Sequence, residues 1–396
     1  MTIIPLAHRA QQTQEYYFSV KLAEVRRLIA DGHDVINIAI GNPDMAPADA
    51  TISALNTATH HPDAHGYQSY KGILALRRAI SAFYGETYGV ALDADTEILP
   101  LIGSKEGITH LSLTFLNEGD EVLVPELGYP AYRAVSQLVG AITHNYPMRE
   151  SNGWQPDWEA MADLMTDRTR LLWLNYPNMP TGAPATPELF DRAVRFAHDH
   201  KLLLCHDNPY SLVLNKKPPI SLLATDGAKA VAVELNSMSK SHNMPGWRVG
   251  WLAGAKPYVD AVLAIKSNVD SGMFRPVMEA AIEALALPAD WHMARNTVYE
   301  GRLTAVYALL DALGCTYDRE QEGLFIWAKL PDSVASAAAL VDELLYEKHV
   351  FIAPGFIFGQ AGARYVRVSL CLPETRIREA VARVETRALA HNPRID

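Results

Sequence analysis

The sequence of 396 residues predicts an α/β protein in which a mostly parallel sheet flanked by helices is joined to a smaller α+β domain. Three observations carry this. From Leu101 to the lysine loop that ends at Gly250, short apolar runs alternate with amphipathic segments of helical length. Small and polar residues collect at the C-terminal ends of those runs, the edge where open α/β sheets place their chemistry. From Trp291 onward the pattern changes to long helices mixed with a few strands. The expected division is an N-terminal segment, 1–45, that joins the small domain, a large domain, 46–287, and the small domain proper, 288–396.

Taken in order, residues 16–30 carry apolar side chains at helical spacing (Val20, Leu22, Ala23, Val25, Leu28, Ile29) and stop at Asp31-Gly32, a helix C-terminal signal. Residues 35–40 read as a short strand broken by Gly41-Asn42-Pro43-Asp44, where the glycine lets backbone approach a ligand. An aromatic, glycine-bounded loop holding Tyr67 and Tyr70 precedes a helix over 73–84. Leu101-Ile102 then enters Gly103-Ser104-Lys105, a small-residue turn that opens a helix through Leu116 and presents free N–H groups to an anion. Strands are expected over 121–124, 171–175, 202–205 and 230–234, with helices over 129–140 and 187–200 between them. A helix from Pro257, a long helix interrupted near Pro288, and strands over 324–328 and 365–370 complete the chain.

Composition narrows the function classes. Hydrophobic residues make up 49% and charged residues 20%, as in an ordinary globular protein. A net charge of −10 without a basic stripe gives no electrostatic reason to expect nucleic acid or an anionic membrane. Cys205, Cys315 and Cys371 lie far apart in apolar runs, which suits reduced thiols and a cytoplasmic address. Met1-Thr2-Ile3-Ile4-Pro5 lacks the basic start and apolar core of a secretory signal, and no apolar run reaches membrane length. His60, His61 and His65 sit in a Pro- and Gly-containing loop without the spacing of a metal site, so no metal is expected.

The chemistry centres on Asn236 to Gly250, where Lys240 stands among Ser237, Ser239 and Ser241 with Arg248 eight positions on. A lysine in a crowded, partly dry site loses part of its preference for the charged form, and its amine becomes a nucleophile toward a carbonyl. Arg248 supplies a fixed cation for a phosphate. A Schiff-base lysine beside a phosphate cation suits pyridoxal 5'-phosphate (PLP). That cofactor further needs an anion at its pyridine nitrogen, a donor to its phenolic oxygen, an aromatic plate and a phosphate cradle; transamination adds a cation for the substrate carboxylate. The sequence offers Asp207, Tyr210, Tyr129, the Gly103-Ser104-Lys105 turn with Ser237, and Arg367 at predicted strand ends or turns.

In order and spacing these residues resemble the class I/II, fold-type I aminotransferases, from Ile40-Gly41-Asn42-Pro43-Asp44 to Val366-Arg367-Val368-Ser369. The most specific matches are Asp207-Asn208-Pro209-Tyr210, Ser237-Met238-Ser239-Lys240 with Arg248, and Pro180-Thr181-Gly182. Gly103-Ser104-Lys105-Glu106-Gly107 and Ser239 to Met244 look closest to the branch of alanine and LL-diaminopimelate aminotransferases. The resemblance implies a seven-stranded large-domain sheet and a two-fold homodimer with shared active sites. It implies that Lys240 forms the Schiff base and serves as base and acid, with Asp207 on the pyridine nitrogen, Tyr210 on the phenolic oxygen and Tyr129 stacked on the ring. Gly103, Ser104, Lys105, Ser237 and Arg248 would hold the phosphate, which Tyr67 reaches from the neighbouring subunit. Arg367 would take the substrate carboxylate near the Gly41 backbone.

Two positions depart from the family. The asparagine usual before Pro-Thr-Gly is Met179 here, which cannot donate to the phenolic oxygen; Tyr210 acts alone, or Asn175 or Asn178 compensates. In diaminopimelate enzymes a glutamate three residues after the phosphate-binding tyrosine meets the distal ammonium; Tyr70 stands in that place. With Tyr16, Tyr17 and Phe18 expected at the pocket mouth, the implied donor is a neutral, apolar or aromatic L-amino acid, and the acceptor a 2-oxo acid such as 2-oxoglutarate. The alternatives are a PLP-dependent β-lyase of sulfur amino acids and a non-catalytic ligand-binding protein on the same fold.

Overall fold

The computed structural model describes residues 4–12 and 17–390. Its centre is a seven-stranded sheet in the spatial order Ile98–Leu101, Gly250–Gly254, Ala232–Ser237, Leu203–Asp207, Thr169–Leu174, Glu121–Pro125, Ile142–Tyr146. The five strands from Ala232–Ser237 outward to Ile142–Tyr146 are parallel. Gly250–Gly254 runs antiparallel to both its neighbours, with Ser237 and Leu101 each opposite Gly250. The expectation of a mostly parallel seven-stranded sheet therefore holds, and the single reversed strand brings the ends of Ile98–Leu101 and Ala232–Ser237 to one edge.

Helices cover both faces, and their local chemistry is readable. Pro187–His200 starts with Thr186 Oγ accepting the Leu189 N–H at 3.2 Å and ends at Lys201 in the left-handed conformation. It buries Leu189, Phe190, Ala193, Val194 and Ala197, the stripe that a 3.6-residue period places on one side. The helix expected over 73–84 runs a turn further, as Leu74–Tyr88, until Gly89 ends it at φ +68°. The lysine segment is not wholly loop: Met238–Ser241 forms one helical turn capped by Ser237 Oγ, which accepts the Ser239 N–H.

A second, four-stranded antiparallel sheet has the order Ala353–Pro354, Tyr365–Ser369, Phe325–Lys329, Thr316–Tyr317. The strand expected over 35–40 shortens to Ile36–Asn37, paired in parallel with Val350–Phe351. Beyond it, Ile38 still donates its N–H to Phe351 O and accepts from the Ser369 N–H. One apolar cluster joins Leu174, Phe190 and Tyr176 of the large sheet's surroundings to Ile326, Val366 and Val368 of the small sheet. Arg302, on Ala289–Ala312, grips Asp44 with two bonds of 2.6 and 2.9 Å and also donates to Leu370 O. This fork anchors the Gly41 loop to the helix behind the small sheet. Among the described residues no helix is long and apolar enough to cross a membrane.

Candidate active site

The C-terminal edge of the large sheet and the small sheet enclose a cleft of about 310 Å³. Ten of the expected residues line it: Gly41, Ser104, Lys105, Tyr129, Asp207, Tyr210, Ser237, Lys240, Arg248 and Arg367. Each stands at an element end or turn of the large sheet, except Arg367, which is central in Tyr365–Ser369, and Gly41 in its loop.

Lys240 is half-buried, and desolvation is the main cause that brings its amine down to about 8; the Arg367 and Arg248 charges lower it further, against the opposing influence of Cys371. Its Nζ donates to Gly41 O. At that position a side chain would collide with Phe325, since a Cβ on Gly41 would lie 2.1 Å from the ring's Cζ. Burial pushes the Asp207 carboxyl up to about 6, opposed by the hydrogen bond from Tyr132 and by His206. Asp207 Oδ2 accepts the Tyr132 hydroxyl at 2.7 Å, whereas Oδ1 is buried without a hydrogen-bond partner. A buried carboxylate oxygen with no donor calls for one. The pyridine N–H of PLP is such a donor, so the residues fit the cofactor.

The anion cradle is as well defined. Gly103, at φ +97°, precedes Ser104–Phe115, whose opening N–H groups, those of Ser104 and Lys105, lie ahead of the first helical hydrogen bond. A Cβ on Gly103 would lie 2.1 Å from Arg248 Nη2, so this glycine makes room for the cation and does not itself line the cleft. Arg248 is in the left-handed conformation at φ +58°, and its Nη1 donates to Pro245 O at 2.9 Å. The helix start, Ser237 and Arg248 would hold the phosphate, Tyr129 would cover the ring, and Tyr210 would meet the phenolic oxygen.

Three expected residues fall elsewhere. Tyr17 packs edge-on against Phe356 at 5.0 Å, and its neighbour Phe18 lines the cleft in its place; Tyr16 lies outside the described residues. Tyr67 is 93% exposed and Tyr70 44% exposed, and neither lines the cleft of its own chain. Of the two asparagines named as alternatives to Tyr210 at Met179, Asn175 lines the cleft and Asn178 does not. Asn175 engages its amide with Asp207 O and the Met179 N–H, and Asn178 engages its own with Asn175 O and Thr181.

Sequence reasoning missed Tyr132, which holds Asp207 from below while stacked on Trp173 at 4.8 Å. Its position three residues after Tyr129 on the same helix was the available signal. Phe325, Ile357 and Phe358 were also missed. Phe325 and Phe358 both pack against the Arg367 guanidinium, with ring centroids 3.8 and 4.4 Å from Cζ.

A lysine of lowered basicity and a buried carboxylate with one oxygen left without a donor, on this edge beside an anion cradle, define the class: a fold-type I, PLP-dependent enzyme. The chain belongs to the aminotransferase class I and II family, whose model matches residues 33–384. It is 39% identical over 383 residues to an LL-diaminopimelate aminotransferase of Dehalococcoides mccartyi, covering 96% of this chain and 98% of that one. With another LL-diaminopimelate aminotransferase, from Desulforudis audaxviator, it shares 40% identity over 96% of each chain. Among solved structures, substrate-bound BacF from Bacillus subtilis superposes with a TM-score of 0.92 at 32% identity, covering 98% of both chains. The protein is therefore a PLP-dependent aminotransferase whose reactants are amino acids and 2-oxo acids.

Proposed function

We propose that the enzyme takes its amino group from a neutral, apolar or aromatic L-amino acid and passes it to a 2-oxo acid such as 2-oxoglutarate. The observation that carries this is the lining of the cleft. Phe18, Met179, Phe325, Ile357 and Phe358 form the walls beside Arg367, and among the described lining residues the only carboxylate is Asp207, which the cofactor occupies. A second ammonium on the substrate would lose its hydration there with no anion to meet it. Tyr70 stands where the resemblance places glutamate in diaminopimelate enzymes.

In this reading PLP supplies the electron sink that acidifies the substrate's Cα–H. Lys240 would take the proton from the donor's Cα and, in the second half-reaction, deliver one to the Cα of the amino acid formed from the acceptor, its amine being brought down to about 8 mainly by desolvation. Asp207, with Tyr132 fixing one oxygen, would keep its charge at the pyridine nitrogen, and Arg367, packed against Phe325 and Phe358, would hold the substrate carboxylate. The active unit is a homodimer in which the exposed Tyr67 reaches the partner's phosphate. The division into 46–287 and 288–396, with 1–45 joining the latter, is supported by the separate sheets.

Diaminopimelate as donor is the second reading, favoured by the names of the relatives at 39 and 40% identity. An amino-donor screen with 2-oxoglutarate, ranked by kcat/KM, decides between them: leucine, phenylalanine or tyrosine leading supports the first, and LL-diaminopimelate leading overturns it. Lys240→Ala should abolish turnover and the visible absorbance of the lysine-bound cofactor; survival of both would refute the catalytic assignment.

A further inference from the structure

Met179 stands where a hydrogen-bonding amide is usual, and the structure gives its sulfur an acceptor's position. Arg367 Nη1 donates to Met179 Sδ at 3.0 Å, and Arg367 Nη2 donates to Ala39 O at 2.8 Å. The backbone that carries Met179 is itself fixed, because its N–H donates to Asn175 Oδ1 at 2.9 Å. The side chain is 5% exposed and lines the cleft, so the thioether cannot swing away into solvent. Phe325 and Phe358 pack against the guanidinium, and the hydrogen bonds from its Nη1 and Nη2 act on its rotation. Ala39 O fixes one and Met179 Sδ the other.

A thioether is a weak, polarizable acceptor. It can orient an N–H without competing strongly for it. An incoming carboxylate therefore meets a guanidinium already turned toward it, and displaces a contact that is easily weakened. A carboxamide oxygen in the same place would bind the N–H more firmly, and its NH2 would offer the carboxylate a second donor. The neighbouring amides are held elsewhere: Asn175 Nδ2 donates to Asp207 O and Asn178 Nδ2 to Asn175 O.

We propose that Met179 is a positioning residue for carboxylate recognition, its sulfur holding the Arg367 guanidinium at the angle that receives the carboxylate common to amino donor and 2-oxo acceptor. This rests on the aminotransferase reading of Arg367. Its test uses equilibrium binding, which does not depend on which amino donor is turned over.

Met179→Leu keeps the volume and removes only the acceptor. Calorimetric titration of the cofactor-loaded enzyme with 3-phenylpropanoate and with maleate should give Kd values raised about three- to ten-fold in the variant, the range expected for losing one weak charge-assisted contact. In turnover, KM for donor and acceptor should rise by a similar factor while kcat stays within about two-fold. The cofactor absorbance spectrum and Tm of the variant should match the wild type, which separates positioning from misfolding. A double-mutant cycle identifies the route: in an Arg367→Lys background, Met179→Leu should have no further effect on Kd. Unchanged Kd in Met179→Leu, an equal effect in the Arg367→Lys background, or no binding of either acid to the wild type would each overturn the proposal. An enzyme that binds both acids as expected yet transfers no amino group would instead refute the proposed reaction alone.

Discussion

Asp207 shows how a single residue can be costly to the fold and useful to the site. Its carboxyl is raised from 3.8 to about 6 by burial. The unfolded chain thus releases this proton near pH 4 and the folded, cofactor-free chain near pH 6. Between those values the folded state holds more protons, so stability falls as pH rises, and the full penalty applies above pH 6. Asp207→Asn should remove it, making the cofactor-free protein more stable at pH 8 by up to about 2–3 kcal/mol, with no gain at pH 3.5. Denaturant unfolding at the two pH values checks this. The same substitution should cut kcat by orders of magnitude, because a neutral amide cannot hold the charge at the pyridine nitrogen. Lys240 behaves in the opposite sense: its lowered value of about 8 costs stability below pH 8, and the cost is relieved as pH rises toward 10.5. At this scale the sequence was informative wherever chemistry demanded a particular residue type at an element end. Lys240, Asp207 and Arg248 could be read that way. Tyr132, Phe325 and Phe358 could not, because aromatic residues at helix and strand spacing look the same whether they pack a core or support a functional group.

Elements were legible in proportion to how one-sided their burial is. Pro187–His200 begins and ends where its proline, threonine cap and apolar stripe place it. The Ile142–Tyr146 strand was not foreseen. It lies at the sheet edge with Ile142 and Asn145 exposed and only Tyr146 buried, so Ile-Thr-His-Asn-Tyr shows no apolar run. The strand over 35–40 was overextended because Ile38 and Ala39 are buried, but beyond the Asn37–Phe351 pair only Ile38 keeps backbone hydrogen bonds, to Phe351 O and from the Ser369 N–H. The Gly41 loop depends on another element altogether. The Arg302–Asp44 fork links it to Ala289–Ala312 with the arginine side chain 6% exposed. Arg302→Met should destabilise the protein by about 3 kcal/mol, since it leaves Asp44 and Leu370 O without their donor. Because Gly41 O is the Lys240 partner, the variant should also shift the pH at which the amine reacts, which a pH titration of aldehyde addition to the cofactor-free enzyme would detect.

For the whole molecule, the proposed dimer makes a quantitative prediction. Tyr67 is 93% exposed, which is unusual for a tyrosine in a glycine-bounded loop unless another surface covers it. Sedimentation should give the mass of two chains. Lys240→Ala and Tyr67→Ala, each nearly inactive alone, should recover about a quarter of wild-type activity when refolded together. Half of the dimers are then mixed, and each mixed dimer assembles one intact site from two chains. A monomer, or no recovery on mixing, would contradict the arrangement. Donor specificity was harder to read than the reaction because the reaction's residues gather at one sheet edge, whereas Phe325, Ile357 and Phe358 come to the cleft from the small sheet and the segment after it.

The reversed strand Gly250–Gly254 separates folding from function along a few residues. Because Gly250 sits opposite both Ser237 and Leu101, three chain segments converge at one point, and the stretch between Ser241 and Arg248 must return to it in fixed length. A one-residue deletion there would leave every strand able to pair and every apolar cluster able to form. Arg248 would nevertheless turn away from the gap that Gly103 keeps open. Such a deletion should yield a folded protein with normal helix content that no longer retains PLP on gel filtration, a lesion in assembly of the site that no measure of stability would register.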